Sequence, residues 1–216
     1  MSSILDKIHI ISALIIPILF AITLHEAAHG WIASKLGDRT AQQLGRVSIN
    51  PLRHIDPIGT VLVPLVLFFT SGFIFGWAKP VPINWRNLKK PKRDMALVAL
   101  AGPAANLLMA IFWAIITKLA IVYATHAQPT SDISINILKY LILAGKYGIL
   151  INILLLVFNM IPIPPLDGSR VVTSLLSNKL AYQYNKLEPY GLWIVLALLF
   201  LGIFKIIILP ITYIIS

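Results

Sequence analysis

Five apolar runs divide the chain. The first covers Ile8 to Leu24 and continues as an amphipathic helix to about Leu36; the second, Ile58 to Phe75, is shorter and is interrupted by Pro64 and Gly72. The third covers Met95 to about Tyr123, the fourth Ile135 to Ile161, and the fifth about Tyr190 to Ile215. A helix rises about 1.5 Å per residue, so about 20 apolar residues cross a hydrocarbon core of about 30 Å. Runs one, three, four and five are long enough to do so. Two stretches between the runs break the helical period. "RVSIN" (46–50) alternates, with β-branched residues, and predicts a short strand. "KPVPIN" (79–84) cannot be helical with Pro80 and Pro82 in place, and suits an extended edge strand or a polyproline segment.

The pattern predicts an all-α polytopic membrane protein with four spanning helices. A re-entrant or short hydrophobic segment (58–75) and small β-like strands at the cytoplasmic membrane boundary complete it. No connecting segment is large enough for a separate soluble domain, so residues 1–216 are expected to form a single transmembrane domain. Composition agrees: 58% of the 216 residues are hydrophobic and 12% charged, about half the charged fraction of soluble domains, and the mean hydropathy is +0.84. A cleavable signal peptide is the alternative for run one, but no convincing small-x-small site precedes its polar end, and cleavage would discard or expose that end.

Charge adds a topology. The 18 Lys and Arg against 8 Asp and Glu suit cytoplasmic loops and anionic lipid; with no aromatic-basic motif, nucleic acid is not an expected partner. Lys79, Arg86, Lys89, Lys90, Lys92 and Arg93 place 76–94 in the cytoplasm, and Lys35, Arg39, Arg46 and Arg53 place 37–57 there too. Residues 124–134 carry no Lys or Arg and belong outside. Run two then leaves and returns on one side, turning near Pro64 or Gly72, unless it spans and makes five crossings. Cysteine is absent, so any metal must use His, Asp or Glu.

The polar end of run one is "HEAAH", 25–29. His25 and His29 lie one helical turn apart on one face, and two imidazoles so placed can reach one zinc ion. Glu26 is rotated about 100° away, unsuited to ligation but placed to hold a water that zinc has acidified, to take its proton and to pass it to a leaving amine. Ionisable groups inside an apolar run are costly and by default functional. A catalytic zinc needs a third protein ligand and an open position. Asp6 and His9 lie about 24 Å down the same helix, His126 and Asp132 lie in the outer loop, and Asp38 and Asp94 look like surface or helix-cap residues. His54, Asp56, Asp167 and Glu188 remain. Asp167 has the most telling surroundings: in "FNMIPIPPLDGSR" three prolines end run four just before Asp167-Gly168. An unwound segment there could deliver a carboxylate to a buried cation, or Asp167 could simply cap the next helix.

With "HEAAH" at 25–29, "AGPAAN" at 101–106 and "FNMIPIPPLDG" at 158–168, the chain resembles the site-2 proteases, the intramembrane zinc metalloproteases. "NPLRHIDPIGT" and "GWAKPVPIN" also look like segments of the short bacterial members that lack PDZ and CBS domains. The resemblance covers nearly the whole chain. It implies Asp167 as third zinc ligand beside His25 and His29, a site below the cytoplasmic membrane surface, transmembrane proteins as substrates, and a bacterial inner-membrane location. If Asp167 meets the histidines, runs one and four both run inward, the amino terminus is outside and run two is re-entrant; Lys7 is one charge against this.

Asn106 lies in run three, one turn after Gly102. It either bonds between helices or, as the family's Gly-x-x-x-Asn pattern implies, steadies the substrate peptide or a developing oxyanion. Asn159 could satisfy backbone groups freed at the end of run four or orient a ligand. His54 could be a supporting base, a gate or an ordinary loop histidine. The 45–49 and 80–84 edges could pair with an unwound substrate by strand addition. The rival functions are a divalent-metal transporter, which would need further ligands along a path, and an inactive membrane-protein-binding relative, which would be expected to lack part of the motif. Nothing in the pattern points to an oligomeric state.

Overall fold

The computed structural model describes residues 4–63, 65–66, 76–127 and 129–202. Seven α-helices are described: α1 (Ile4–Leu36), α2 (Thr40–Gln43), α3 (Pro91–Ala127), α4 (Asp132–Asn159), α5 (Asp167–Leu175), α6 (Asn178–Asn185) and α7 (Gly191–Phe200). Three of them are long and apolar enough to cross a membrane: α1 from Ser12, α3 and α4. These are runs one, three and four. Run five begins as α7, and its remainder from residue 203 lies outside the described residues, so the described spans number three where four were expected.

The bundle is built the membrane way round. α3 buries Val98, Gly102, Asn106, Ala110, Trp113 and Thr117, a stripe at spacings of three and four. Its bulky Leu108, Phe112, Ile115 and Leu119 are half or more exposed. Gly102, Ala110 and Thr117 on the buried side let helices approach, while large apolar side chains point outward, the arrangement that suits lipid. At Gly148 of α4 a Cβ would sit 2.4 Å from the Trp113 ring. Hydrogen bonds set the register. The Tyr140 hydroxyl donates to Ser12 O at 2.9 Å. Asn106 Nδ2 donates to Ala21 O at 3.3 Å and to Asn152 Oδ1 at 2.9 Å, and His29 Nδ1 donates to Val98 O at 2.7 Å. Residue numbers therefore rise together along α1 and α4 and fall along α3: two helices run toward the motif end and the third away from it, as expected.

The predicted strands do not form: no β-strand is present among the described residues. Residues 76–84 lack regular structure because their backbone is bonded to side chains and loop carbonyls instead of a partner strand. Trp77 N–H donates to Gly59 O and Lys79 N–H to His54 O, each at 3.0 Å. Val81 N–H donates to Glu26 and Asn84 N–H to Asp38, each at 2.7 Å. Pro80 and Pro82 have no N–H to extend a ladder. In 46–50, Ser48 and Asn50 use their side chains on local N–H groups, Asn50 capping the turn Pro51–Arg53. Run two opens with a wide π-type turn, Pro57–Leu62, capped by Asp56. The Gly59–Trp77 bond and a 2.8 Å bond from Thr60 Oγ1 to Trp77 O place both flanks of the run side by side. The expected turn at Pro64 or Gly72 lies outside the described residues.

Asp38 and Asp94, expected at the surface or as caps, are both buried. Asp94 does cap α3, accepting from Lys90 N–H at 2.8 Å. Asp38 ties the end of α1 to the 84–87 turn, accepting from Thr40, from Asn84 N–H and from Asn87. Burial pushes its carboxyl pKa up, but these bonds outweigh burial and hold it below the ordinary carboxylate value. A depressed folded-state pKa stabilises above the unfolded value, about 4, and that contribution disappears as pH falls through the folded value. The thermal midpoint in detergent is therefore expected to fall on acidification below about pH 4. Asp38→Ala should flatten that part of the profile and cost about 1–3 kcal/mol at neutral pH from stranded donors. An unchanged acid limb in the variant counts against this role.

Candidate metal centre

α1 carries His25 and His29 on the face that meets α3, both buried. Their outer nitrogens are taken. His29 Nδ1 faces Val98 O, which can only accept, so Nδ1 carries the proton. His25 Nδ1 faces Asn106 Oδ1 at 2.6 Å. Asn106 cannot be turned the other way, because its Nδ2 faces the Ala21 carbonyl. Both rings thus turn their Nε2 atoms to the inside, where a neutral ring offers a lone pair.

Asp167 reaches the same point from the far side of the turn that ends α4, at the same end of the bundle. α4 ends at Asn159, the proline-rich turn 160–166 follows, and Asp167 is the first residue of α5. Its carboxylate sits at the positive end of that helix, a favourable place for an anion. The approach is close: a Cβ on Gly168 would stand 2.2 Å from Met160 O. Asp167 Oδ2 lies 3.2 Å from His25 Nε2 and 3.3 Å from His29 Nε2, and the two Nε2 atoms are 3.1 Å apart. Oδ2 is buried and has no hydrogen-bond partner.

Three lone-pair donors converging without a proton between them repel one another unless a cation joins them. A tetrahedral ion with bonds of about 2.0–2.1 Å has ligand–ligand edges of about 3.3 Å, close to the triangle seen. The residues therefore fit a metal of zinc type. Among the described residues this trio is the one group of three His, Asp or Glu side chains arranged for an ion. Gly102 of α3 makes room for it: a Cβ there would lie 2.3 Å from His29 Nε2 and 2.6 Å from His25 Nε2.

Glu26 is not part of the converging trio, in keeping with the 100° offset, but lines the same cavity, and its Oε2 accepts from Val81 N–H. Two cavities meet at His25 and Glu26. One, of about 400 Å³, holds His29, Asp167, Trp85, Arg170 and Glu188. The other, of about 490 Å³, is walled by Ile22, Trp77, Leu155, Phe158 and Val195. Asn159 lines both, with Nδ2 bonded to Leu155 O at 2.9 Å. Asn106 lines neither. It is fully buried, with both amide atoms committed, so its position suits holding the His25 ring rather than touching substrate. His54 is likewise buried, and its Nε2 donates to Ser48 O at 2.9 Å away from both cavities. Asp56 caps the turn of run two. Glu188 pairs with Arg170 at 2.5 Å on the wall of the polar cavity. Sequence reasoning missed Val98 O and Val81 N–H, which are backbone groups without a residue signature. It also missed Asn152, whose only signal was an amide inside an apolar run.

Residues 13–202 match the family model of Peptidase family M50. The chain belongs to that family. It is 35% identical over 185 residues to a Bacillus subtilis protein named "Putative zinc metalloprotease YwhC", covering 86% of this chain and 78% of that one. It is 29% identical over 182 residues to "Putative zinc metalloprotease Rip2" of Mycolicibacterium smegmatis, covering 84% of this chain and 64% of that one. The protein of the same name in Mycobacterium tuberculosis strain H37Rv is 28% identical over 150 residues, which are 69% of this chain and 52% of that one. The chain thus spans between half and two thirds of the two Rip2 proteins. No solved structure matches it. Membership of a peptidase family, with a metal-type donor set at the meeting of its helices, makes this chain a metallopeptidase of the membrane.

Proposed function

We propose that the protein is a zinc-dependent endopeptidase that cuts membrane proteins in or beside their spanning segments. It would act as a single domain in a bacterial inner membrane, with run five as a fourth span and 58–75 re-entrant. The observation that carries this is the convergence of two imidazole Nε2 atoms and one carboxylate oxygen within 3.3 Å on buried faces of membrane-length helices. His25, His29 and Asp167 would hold the ion. Bound zinc supplies Lewis acidity, polarising a carbonyl and lowering the pKa of water.

The chain's own groups do the rest. Asn106 and Val98 O keep the two rings in the tautomer that offers Nε2. Glu26, anchored through Oε2, takes a proton from the attacking water on Oε1 and returns it to the leaving amine. Asn159 has an amide at the junction of the cavities, where it can meet substrate backbone. A substrate lying across that junction keeps its apolar part in the apolar cavity and its loosened, polar part beside Arg170 and Trp85. His29 is seven residues, about 10 Å, short of the end of α1, which agrees with a site below the membrane surface. The basic 79–93 segment beside this end supports a cytoplasmic orientation.

Reconstituted protein and its Glu26→Gln variant, given single-span substrates, provide the test. Cleavage is expected to fall by about 10²–10⁴-fold with zinc content unchanged. Full activity in the variant defeats the reading, and zinc flux into vesicles without cleavage favours a transporter.

A further inference from the structure

We propose that the backbone N–H of Val81 is a positioning group for the Glu26 carboxylate. Residues 76–84 would then hold the proton carrier in its working orientation as well as wall the cleft. The proposal rests on Glu26 being that carrier.

The geometry starts from the alternation of the segment. Trp77, Lys79 and Val81 all direct their N–H groups inward, to Gly59 O, His54 O and Glu26 Oε2. That is the two-residue period of extended chain. The first two bonds fasten the segment to the loop before run two, and the third continues the same edge onto the carboxylate. Pro80 and Pro82, on either side of Val81, have no hydrogen to give. They also fix the register, because a slip by one residue in either direction would set a proline nitrogen against Glu26. The side chain seals the position. Val81 is buried against α1, where a Cβ on Gly30 would meet Val81 Cγ1 at 3.0 Å. Gly30 lies one turn beyond Glu26 on that helix.

At 2.7 Å the bond is in the charge-assisted range. It occupies Oε2 alone; Oε1 has no hydrogen-bond partner among the described residues, and Glu26 lines both cavities. One oxygen is anchored and the other is left to exchange a proton. Misplacing a catalytic group by about 1 Å costs about 10²-fold in rate, so an unanchored carboxylate turning about its last bond is a poor base even with the metal trio intact.

The test exchanges one atom. Incorporating the α-hydroxy analogue of valine at position 81 of the full-length protein turns the amide N–H into an ester oxygen and keeps the side chain. The expected result is a fall in kcat of about 10- to 100-fold with KM and zinc content unchanged. Val81→Pro, which removes the same hydrogen between two existing prolines, is expected to do likewise. In a Glu26→Ala background the ester exchange should leave the residual rate unaltered, since its partner is gone. Wild-type kcat in the ester protein, or an equal fall in the Glu26→Ala background, overturns the proposal and leaves the bond a fastening of the loop. Failure of the Glu26 reading itself would appear separately, as activity retained in Glu26→Gln.

Discussion

Replacing Gly102 by alanine is expected to empty the metal site and abolish cleavage while the helical bundle stays folded. Helix propensity pushes the other way: alanine is favoured over glycine by about 1 kcal/mol in a helix interior, so α3 considered alone would gain. Packing decides the sign. The added methyl would stand 2.3 Å from His29 Nε2 and 2.6 Å from His25 Nε2, the atoms that must face the ion. Neither ring has an easy retreat. His29 is tied through Nδ1 to Val98 O, and His25 to Asn106, which is itself held by Ala21 O and Asn152. Moving either ring breaks a buried hydrogen bond and turns a lone pair away from Asp167. Losing an outer partner of a metal ligand typically costs 10–100-fold in metal affinity; displacing both imidazoles should exceed about 100-fold. Zinc content per chain and cleavage rate check this, with far-ultraviolet circular dichroism showing the helices retained. A Gly102→Ala protein that keeps its zinc would mean that the triangle of donors is looser than its distances indicate.

Parts of this arrangement were legible in the sequence because they depend on local spacing. An i, i+4 pair of histidines shares a helix face whatever surrounds it, and a charge-free run around Glu26 signals a membrane helix with a purpose. Pro162, Pro164 and Pro165 announced that run four breaks just before Asp167, yet choosing Asp167 among four candidate ligands needed a family resemblance, since reach across the bundle is a tertiary fact. The strands failed for a related reason. Residues 79–84 have extended-chain chemistry, but side chains more than thirty residues away, Asp38, Glu26 and Arg46, take up their backbone groups. The direction of Asn106 was equally hidden. Spacing placed it one turn from Gly102 but could not tell whether its amide met substrate or the back of His25. That depended on the α1–α3 register, with Ala21 opposite Asn106.

Asp167→Asn should remove zinc and activity and also remove the protein's thermal response to metal. In the wild type, Asp167 Oδ2 is buried without a hydrogen-bond partner and faces two imidazole lone pairs at 3.2 and 3.3 Å. Without an ion or a shared proton that cluster is unfavourable, so chelation should lower the thermal midpoint. Adding zinc back at about 100 times its Kd should restore about 2.7 kcal/mol through linkage alone. Asparagine changes both halves of the balance. It lacks the negative charge that helps hold a divalent ion, and its NH₂ can donate to the imidazole lone pairs, satisfying the site with no metal present. The variant's midpoint is therefore expected to match or exceed that of the chelated wild type and to be unmoved by zinc or chelator. Melting curves in detergent with and without chelator, beside cleavage assays, separate this from simple misfolding, which would lower the midpoint. A zinc-dependent midpoint persisting in Asp167→Asn would show the ion to be held by donors other than this trio.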